Sequence, residues 1–272
     1  MRTCKTIACV LAKGGTGKST SCINIGVALA LQGHKVALID NDPQGSMSTA
    51  LGLVPKTIKH TLATKMLNVL DDSEGLPIAD CLIPCGAVDL LPSNQRLTLV
   101  EQRLTGESKS ALLTGEGELP AELVMRKTLE PLRELYDYIL IDCQPSAGLL
   151  TINALAAADS ILIPMESHFL SFEAVKQTLE LITRIRAAFN PALAVEGILL
   201  TKYQDRTTLC RGIRNAVQET YGDTLCIFTE PIAFSIRAAE QSVCGESIFV
   251  TDPHGKIAHG YMAAAREVIA HG

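Results

Sequence analysis

The chain has no tryptophan, and aromatic residues make up only 4% of its 272 positions. That scarcity argues against a surface that grips single strands by stacking bases on rings, because such platforms need several aromatic faces. Positive charge is also in short supply: 24 lysines and arginines face 29 carboxylates, for a net charge of −5. A protein coated in cations is thereby disfavoured, although a local basic patch is not. No apolar run approaches the length of a membrane span. No leader-like segment stands ahead of the first strand. No Pro/Ser-rich linker divides the chain, so one α/β domain over 1–272 is expected.

Nine cysteines are present, without the paired spacing of a metal site. Cys4, Cys9, Cys22, Cys143 and Cys226 fall in or beside expected strands and helices, where buried free thiols are common. Cys81 and Cys85 form a lone C-x3-C, a weak signal for ligation or redox chemistry. Many unpaired thiols suit the cytoplasm.

What the sequence does contain is Lys13-Gly14-Gly15-Thr16-Gly17-Lys18-Ser19-Thr20, directly behind the apolar run Thr6 to Ala12 and opening a helical segment, Ser19 to Leu31. Strand, glycine-rich turn and helix start are the setting of a phosphate-binding loop. Its glycines let the backbone curl N–H groups inward around a polyphosphate, and the first N–H groups of the helix face the same anion. Gly14 through Thr20 are the nucleotide-binding candidates: Gly14, Gly15, Thr16, Gly17, Lys18, Ser19 and Thr20. Lys18 would neutralise the β- and γ-phosphates of ATP, and the Ser19 hydroxyl would ligate Mg²⁺.

Two acidic strand ends accompany the loop. Lys35 to Ile39 reads as a buried strand ending in Asp40-Asn41-Asp42-Pro43-Gln44-Gly45-Ser46. Parallel sheets bind ligands at this edge, although the same residue types also make an ordinary capped turn. Tyr138 to Ile141 is an apolar strand closing on Asp142, the pattern of a Mg²⁺-holding carboxylate when a phosphate loop is present. Elsewhere, helices are expected over Thr61 to Leu70, Ser93 to Leu104 and Glu173 to Phe189. Glu122 to Leu135 reads as a helix interrupted at Pro131. Strands are expected over Val88 to Pro92, Ser160 to Pro164 and Val195 to Thr201, and a loop over Gly106 to Pro120. The alternation implies a mostly parallel twisted sheet with helices on both faces, a P-loop NTPase fold.

Lys13 stands where an ordinary phosphate loop begins with glycine. This variant resembles the deviant Walker A loop of the ParA/MinD/nitrogenase-iron-protein ATPases. The resemblance implies that Lys13 acts in trans on a partner's nucleotide, so that ATP binding is coupled to homodimer formation. The run Asp40 to Gly45 is similar to the second nucleotide motif of the ParA subfamily. By that similarity Asp42 orients the attacking water, Asp40 supports the metal site, and Gln44 and Gly45 belong to a switch. Cys143-Gln144-Pro145-Ser146 resembles the family's D-x-P-P-S, with Gln144 replacing a proline. Thr201-Lys202-Tyr203-Gln204-Asp205-Arg206-Thr207 is similar to its T-x-Y-D-x-R-T loop. Ile236 to Glu240 and the ending through Tyr261 resemble its C-terminal segments.

The resemblance implies a slow Mg²⁺-dependent ATP hydrolase of the ParA/Soj type. Its ATP dimer would bind non-specific DNA, a ParB-like adaptor would stimulate hydrolysis, and the cycle would partition a plasmid, chromosome or mobile element while associated with the nucleoid. Lys202, Arg206, Arg211, Arg214 and Arg237 are the candidates for a phosphate-contacting patch. Phe234 stands where relatives often carry arginine. No helix-turn-helix precedes the first strand, so operator recognition is not expected. Three alternatives stand beside this reading. One is positioning of a protein cargo. Another is a MinD-like membrane cycle, which needs a C-terminal amphipathic helix with a basic rim, whereas Tyr261 to Gly272 is alanine-rich with Arg266 nearly its sole cation. The third is a redox ATPase with a cluster held by cysteines of two subunits, against which the Asp42-Pro43-Gln44-Gly45 motif speaks.

Overall fold

The apolar runs become strands buried on both faces, which is why they read as near-continuous Ile, Leu, Val and Ala rather than as alternating patterns. The computed structural model describes residues 4–114, 119–235 and 245–271. Its sheet has seven strands in the order β3-β4-β2-β5-β1-β6-β7. They are β1 Lys5–Cys9, β2 Val36–Asn41, β3 Ile83–Cys85, β4 Val88–Leu91, β5 Tyr138–Cys143, β6 Ser160–Glu166 and β7 Ala194–Thr201. All neighbours pair in parallel except β3, which returns antiparallel on β4. That hairpin turns at Gly86, whose φ of 65° suits a residue without a side chain.

Because side chains alternate along a strand, each strand feeds two cores. Ile7, Leu38 and Leu140 pack with helix α1 (Lys18–Leu31), the short helix Ile248–Thr251 and the C-terminal helix Lys256–Ala270. Ala8, Ile39 and Ile141 face the other way, towards the helices Leu62–Leu70, Leu97–Thr114, Val124–Leu129, Leu149–Ala157, Phe169–Ala188 and Thr208–Tyr221. Gly26 lets α1 lie close on the sheet, since a Cβ there would stand 2.7 Å from Leu38 Cδ2. Ser21 Oγ and the buried Tyr261 hydroxyl are 3.2 Å apart, which ties α1 to the C-terminal helix.

One expectation is corrected. The chain does not open into a loop at Gly106: the helix begun at Leu97 runs on to Thr114. Leu97, Val100 and Leu104 bury its inner side. The next turn is held by Arg103 Nε donating to Glu107 Oε1 at 3.3 Å and Ser108 Oγ donating to Glu122 Oε1 at 2.9 Å. One exposed-face glycine costs only about 1 kcal/mol in such a setting. The expected turn at Gly115-Glu116-Gly117 lies outside the described residues. Pro131 acts as anticipated: the helix stops at Leu129, and a 3₁₀ turn, Glu130–Glu134, carries the proline at its start. No helix among the described residues is long and apolar enough to cross a membrane.

Candidate nucleotide site

Strand register brings the acidic motifs together. Asp142 is paired in register with Asp40 on one side and with Cys9 on the other, so both carboxylates end beside the loop that leaves β1. Gly15 and Gly17 hold left-handed φ angles of 74° and 86°, and Gly17 caps α1. A Cβ at Gly15 would touch nothing, so this position asks for backbone freedom rather than space. Thr201, the last residue of β7, donates its hydroxyl to the Thr16 carbonyl at 2.8 Å and fixes the loop against the sheet.

Lys18 is 7% exposed and donates through Nζ to the Lys13 carbonyl at 2.8 Å, folding over the glycines. Burial lowers its pKa, and the nearby Asp142, Cys143 and Asp42 oppose that shift. Asp142 is almost wholly buried, and neither of its oxygens accepts a hydrogen bond. Burial, and then the neighbouring Asp40, push its carboxyl up to about 8, against the pull of the Lys18 ammonium. A buried, unpartnered carboxylate next to a helix-start serine fits a hard divalent cation that keeps most of its ligands as water and phosphate.

Asp40 differs. Its oxygens accept from the Ser48 N–H at 2.8 Å, the Ser48 hydroxyl at 2.6 Å and the Asp42 N–H at 3.2 Å. Burial raises its carboxyl to about 6, against the pull of those bonds. The free oxygens for a cation therefore belong to Asp142, and Asp40 braces the segment that follows. Asp42 accepts from the Gln44 N–H at 2.9 Å and from the Ser46 hydroxyl at 3.1 Å, and it lines the cleft. Gly45 has a φ of 64°, and a Cβ there would lie 2.8 Å from Pro55 Cγ, so the turn closes only around glycine.

Gly14, Gly15, Gly17, Lys18, Ser19, Thr20, Asp42 and Lys202 line a cleft of about 420 Å³. A larger cleft, about 640 Å³, opens at the opposite strand ends beside Thr6 and Asp159. Its arginines are already engaged: Arg126 with the Ala156 carbonyl, and Arg133 with Asp159, Thr6 and the Cys4 carbonyl. The aligned carboxylates and the glycine loop are at the smaller one.

Lys13 is not among the residues lining its own cleft. Its Nζ donates to Ser171 Oγ at 2.9 Å and lies 3.7 Å from Glu166 Oε2. Of the five basic candidates, Arg206 and Arg211 are exposed near the start of the helix Thr208–Tyr221. Arg214 lies over the Tyr203 ring, 5.9 Å from its centre, and donates to the Thr229 carbonyl at 3.3 Å. Lys202 faces the phosphate loop, and Arg237 lies outside the described residues. Ser48, Ser93 and Glu166 join the site without any signal in the sequence, and Thr201, which opens the family-like T-x-Y loop, takes a contact that the motif does not announce. Thr201 meets Thr16 across 185 positions and Ser93 meets Ser48 across 45, so no local spacing announces them. Among the described residues every cysteine is a free thiol, and no group of three or more His, Cys, Asp or Glu side chains could hold a metal.

A mostly parallel, doubly covered sheet with a glycine-rich loop at its carboxyl edge defines a P-loop nucleotide-binding protein. The AAA domain family matches residues 4–195. The chromosome-partitioning ATPase Soj of Treponema pallidum is 33% identical over 266 residues, which are 98% of this chain and 97% of that protein. An uncharacterized protein of Mycobacterium tuberculosis is 38% identical over 267 residues, 97% of this chain and 78% of that one. The crystal structure of cobyrinic acid a,c-diamide synthase from Mycobacterium smegmatis, with bound ATP analog and magnesium, aligns with a TM-score of 0.80 at 28% identity. The match covers 98% of this chain and 95% of the synthase. The chain belongs to the Soj/ParA family of ATPases.

Proposed function

We propose that the chain is a Mg²⁺-dependent ATPase switch whose ATP-bound homodimer binds duplex DNA without sequence preference and drives DNA partition. The observation that carries this reading is the placement of Lys13 beside, rather than in, a cleft that already has Lys18, Ser19, Asp142 and Asp42. The loop N–H groups cradle the phosphates, and Lys18 exchanges the Lys13 carbonyl for β- and γ-oxygens. Ser19 and Asp142 would hold Mg²⁺, which would supply charge neutralisation at the phosphoryl group. Asp42 aligns the attacking water and accepts its proton. Lys13 of a second copy completes the charge balance, so hydrolysis waits for the dimer. The named role of the Soj relative, chromosome partitioning, supports partition. A ParB-like adaptor would be the trigger for turnover.

DNA would be met by phosphate contacts from Arg206 and Arg211. Such a protein is nucleoid-associated while ATP-bound. Positioning of a protein cargo uses the same cycle and differs only in what the adaptor carries. A membrane cycle is disfavoured by the C-terminal helix, which spends Ile257, Ala258, Tyr261, Ala264, Ala265 and Val268 on the core against α1. The test is co-sedimentation with non-specific duplex DNA under ATP, ADP and no nucleotide, at two salt concentrations. Retention with ATP alone that weakens with salt is expected. Retention in no state would refute the DNA role and leave the ATPase standing.

Asp142→Asn supplies a second check, on the cation site. The folded-state value near 8 lies above the ordinary 3.8, so the folded protein binds this proton more tightly than the unfolded chain does. For this group, stability is greatest at low pH and is lost as the pH rises from about 4 to about 8. The amide of the variant carries no charge to bury. The nucleotide-free variant should melt a few degrees higher than the parent at pH 8, and the two curves should converge towards pH 5. It should also lose the extra stabilisation that Mg²⁺ adds to ATP. Thermal melts across that range decide it, and a variant that keeps the Mg²⁺ effect would remove Asp142 from the metal site.

A further inference from the structure

Lys202 occupies the place of a second cation in the phosphate cleft. It directly follows Thr201, whose hydroxyl is anchored on the Thr16 carbonyl, so the Lys202 backbone is fixed beside the glycine loop. Its φ is +50°, and Asp72 is the other non-glycine residue with positive φ among those described. Residues with side chains seldom adopt that conformation unless surrounding contacts enforce it, and such positions gather at functional sites. From there Lys202 Nζ donates to the Gly15 carbonyl, as Lys18 Nζ does to the Lys13 carbonyl. Both ammonium groups thus rest on loop carbonyls, at the place where the loop would meet an anion.

Glu166, the last residue of β6, faces both peripheral lysines. Its Oε1 lies 3.6 Å from Lys202 Nζ and its Oε2 lies 3.7 Å from Lys13 Nζ. The carboxylate is partly in solvent, where an ion pair at such distances is weak. Polyphosphate oxygens form stronger charge-assisted bonds to ammonium than a neutral carbonyl does, and they compete readily for such a lysine.

We propose that Lys202 is a phosphate-binding residue of its own subunit's cleft, and that Glu166 is a positioning carboxylate that holds Lys202 and Lys13 until polyphosphate draws Lys202 in. The proposal rests on the nucleotide-binding reading above. It gives the two peripheral lysines different work: Lys202 serves its own subunit's nucleotide, and Glu166 keeps Lys13 at the rim for the partner's.

The test titrates purified protein, without DNA, with a fluorescent ADP and a fluorescent non-hydrolysable ATP analogue in Mg²⁺ buffer. Lys202→Met should weaken triphosphate binding about tenfold, and Lys202→Arg should recover most of it. Lys202→Gly relieves the left-handed backbone. It should melt no lower than the parent yet bind as poorly as the Met variant, which separates lost charge from lost fold. Glu166→Gln should tighten nucleotide binding several-fold, and that gain should shrink in the double variant with Lys202→Met. Unchanged nucleotide affinity in Lys202→Met, with weaker DNA retention, would return Lys202 to the DNA-facing surface and overturn the proposal. A Glu166→Gln variant that binds more weakly, or whose gain survives without Lys202, would overturn the role of Glu166. If Lys18→Ala abolishes binding while Lys202→Met does not, this proposal alone fails. If the parent protein binds no nucleotide, the ATPase reading fails with it.

Discussion

Lys18→Ala is expected to abolish measurable ATP binding, a loss of roughly a hundredfold or more. The size follows from removing one partner of a charge-paired contact in a largely water-excluded place, which typically costs about 2–5 kcal/mol. Lys18 is the buried lysine of the cleft, 7% exposed, and its ammonium already bears a desolvation cost that lowers its pKa. A cation kept in such surroundings is arranged for an anion that is not part of the fold. The fold does not need it: among the described residues its ammonium donates one hydrogen bond, to the Lys13 carbonyl, so the variant should melt within a few degrees of the parent. Calorimetric titration with Mg-ATP measures the effect. Unchanged affinity would sink the phosphate-loop assignment.

Asp42→Ala should behave in the opposite sense, retaining ATP while losing turnover by about 10² to 10⁴-fold, the range for removing a general base. The Asp42 carboxylate makes two contacts within its own turn, to Gln44 and Ser46, and otherwise opens to the cleft. Its loss therefore leaves the loop and Asp142 in place. With hydrolysis blocked, the ATP-bound dimer should accumulate, visible as a doubled mass in solution that persists after free ATP is removed. Phosphate-release assays and light scattering together test both halves. Normal turnover would take Asp42 out of the chemistry, and a variant that binds no ATP would show that the turn also shapes the cleft.

The phosphate loop, the strand ends at Asp40, Asp42 and Asp142, and most strands are legible because each is a local pattern: a glycine spacing or an apolar run closed by a carboxylate. The helix from Leu97 to Thr114 outruns its sequence signal because Gly106 reads as a stop, whereas its neighbours Leu104 and Ser108 are anchored by packing and by Glu122. The place of Lys202 is hidden for a related reason. A lysine in an exposed turn reads as surface charge, and only the Thr201 anchor and the left-handed backbone bring its side chain back over Gly15. The division of labour between Asp40 and Asp142 is likewise tertiary. The two residues are register partners on neighbouring strands, and the Ser48 hydroxyl decides which carboxylate is left open.

That Ser48 hydroxyl also accepts from the Ser93 N–H at 3.1 Å, and the Ser93 hydroxyl donates to the Asp42 carbonyl at 2.6 Å. Asp40, Ser48, Ser93 and Asp42 thereby close a small ring of bonds around the turn. A turn so closed has little conformational freedom left to lose when a ligand arrives. Its aspartate is held in place before any nucleotide enters, so in the proposed dimer cycle the clock would be set by an encounter between two molecules rather than by the settling of a loop. Its pace would then follow concentration: crowding two copies onto one stretch of DNA shortens the wait, and dilution lengthens it.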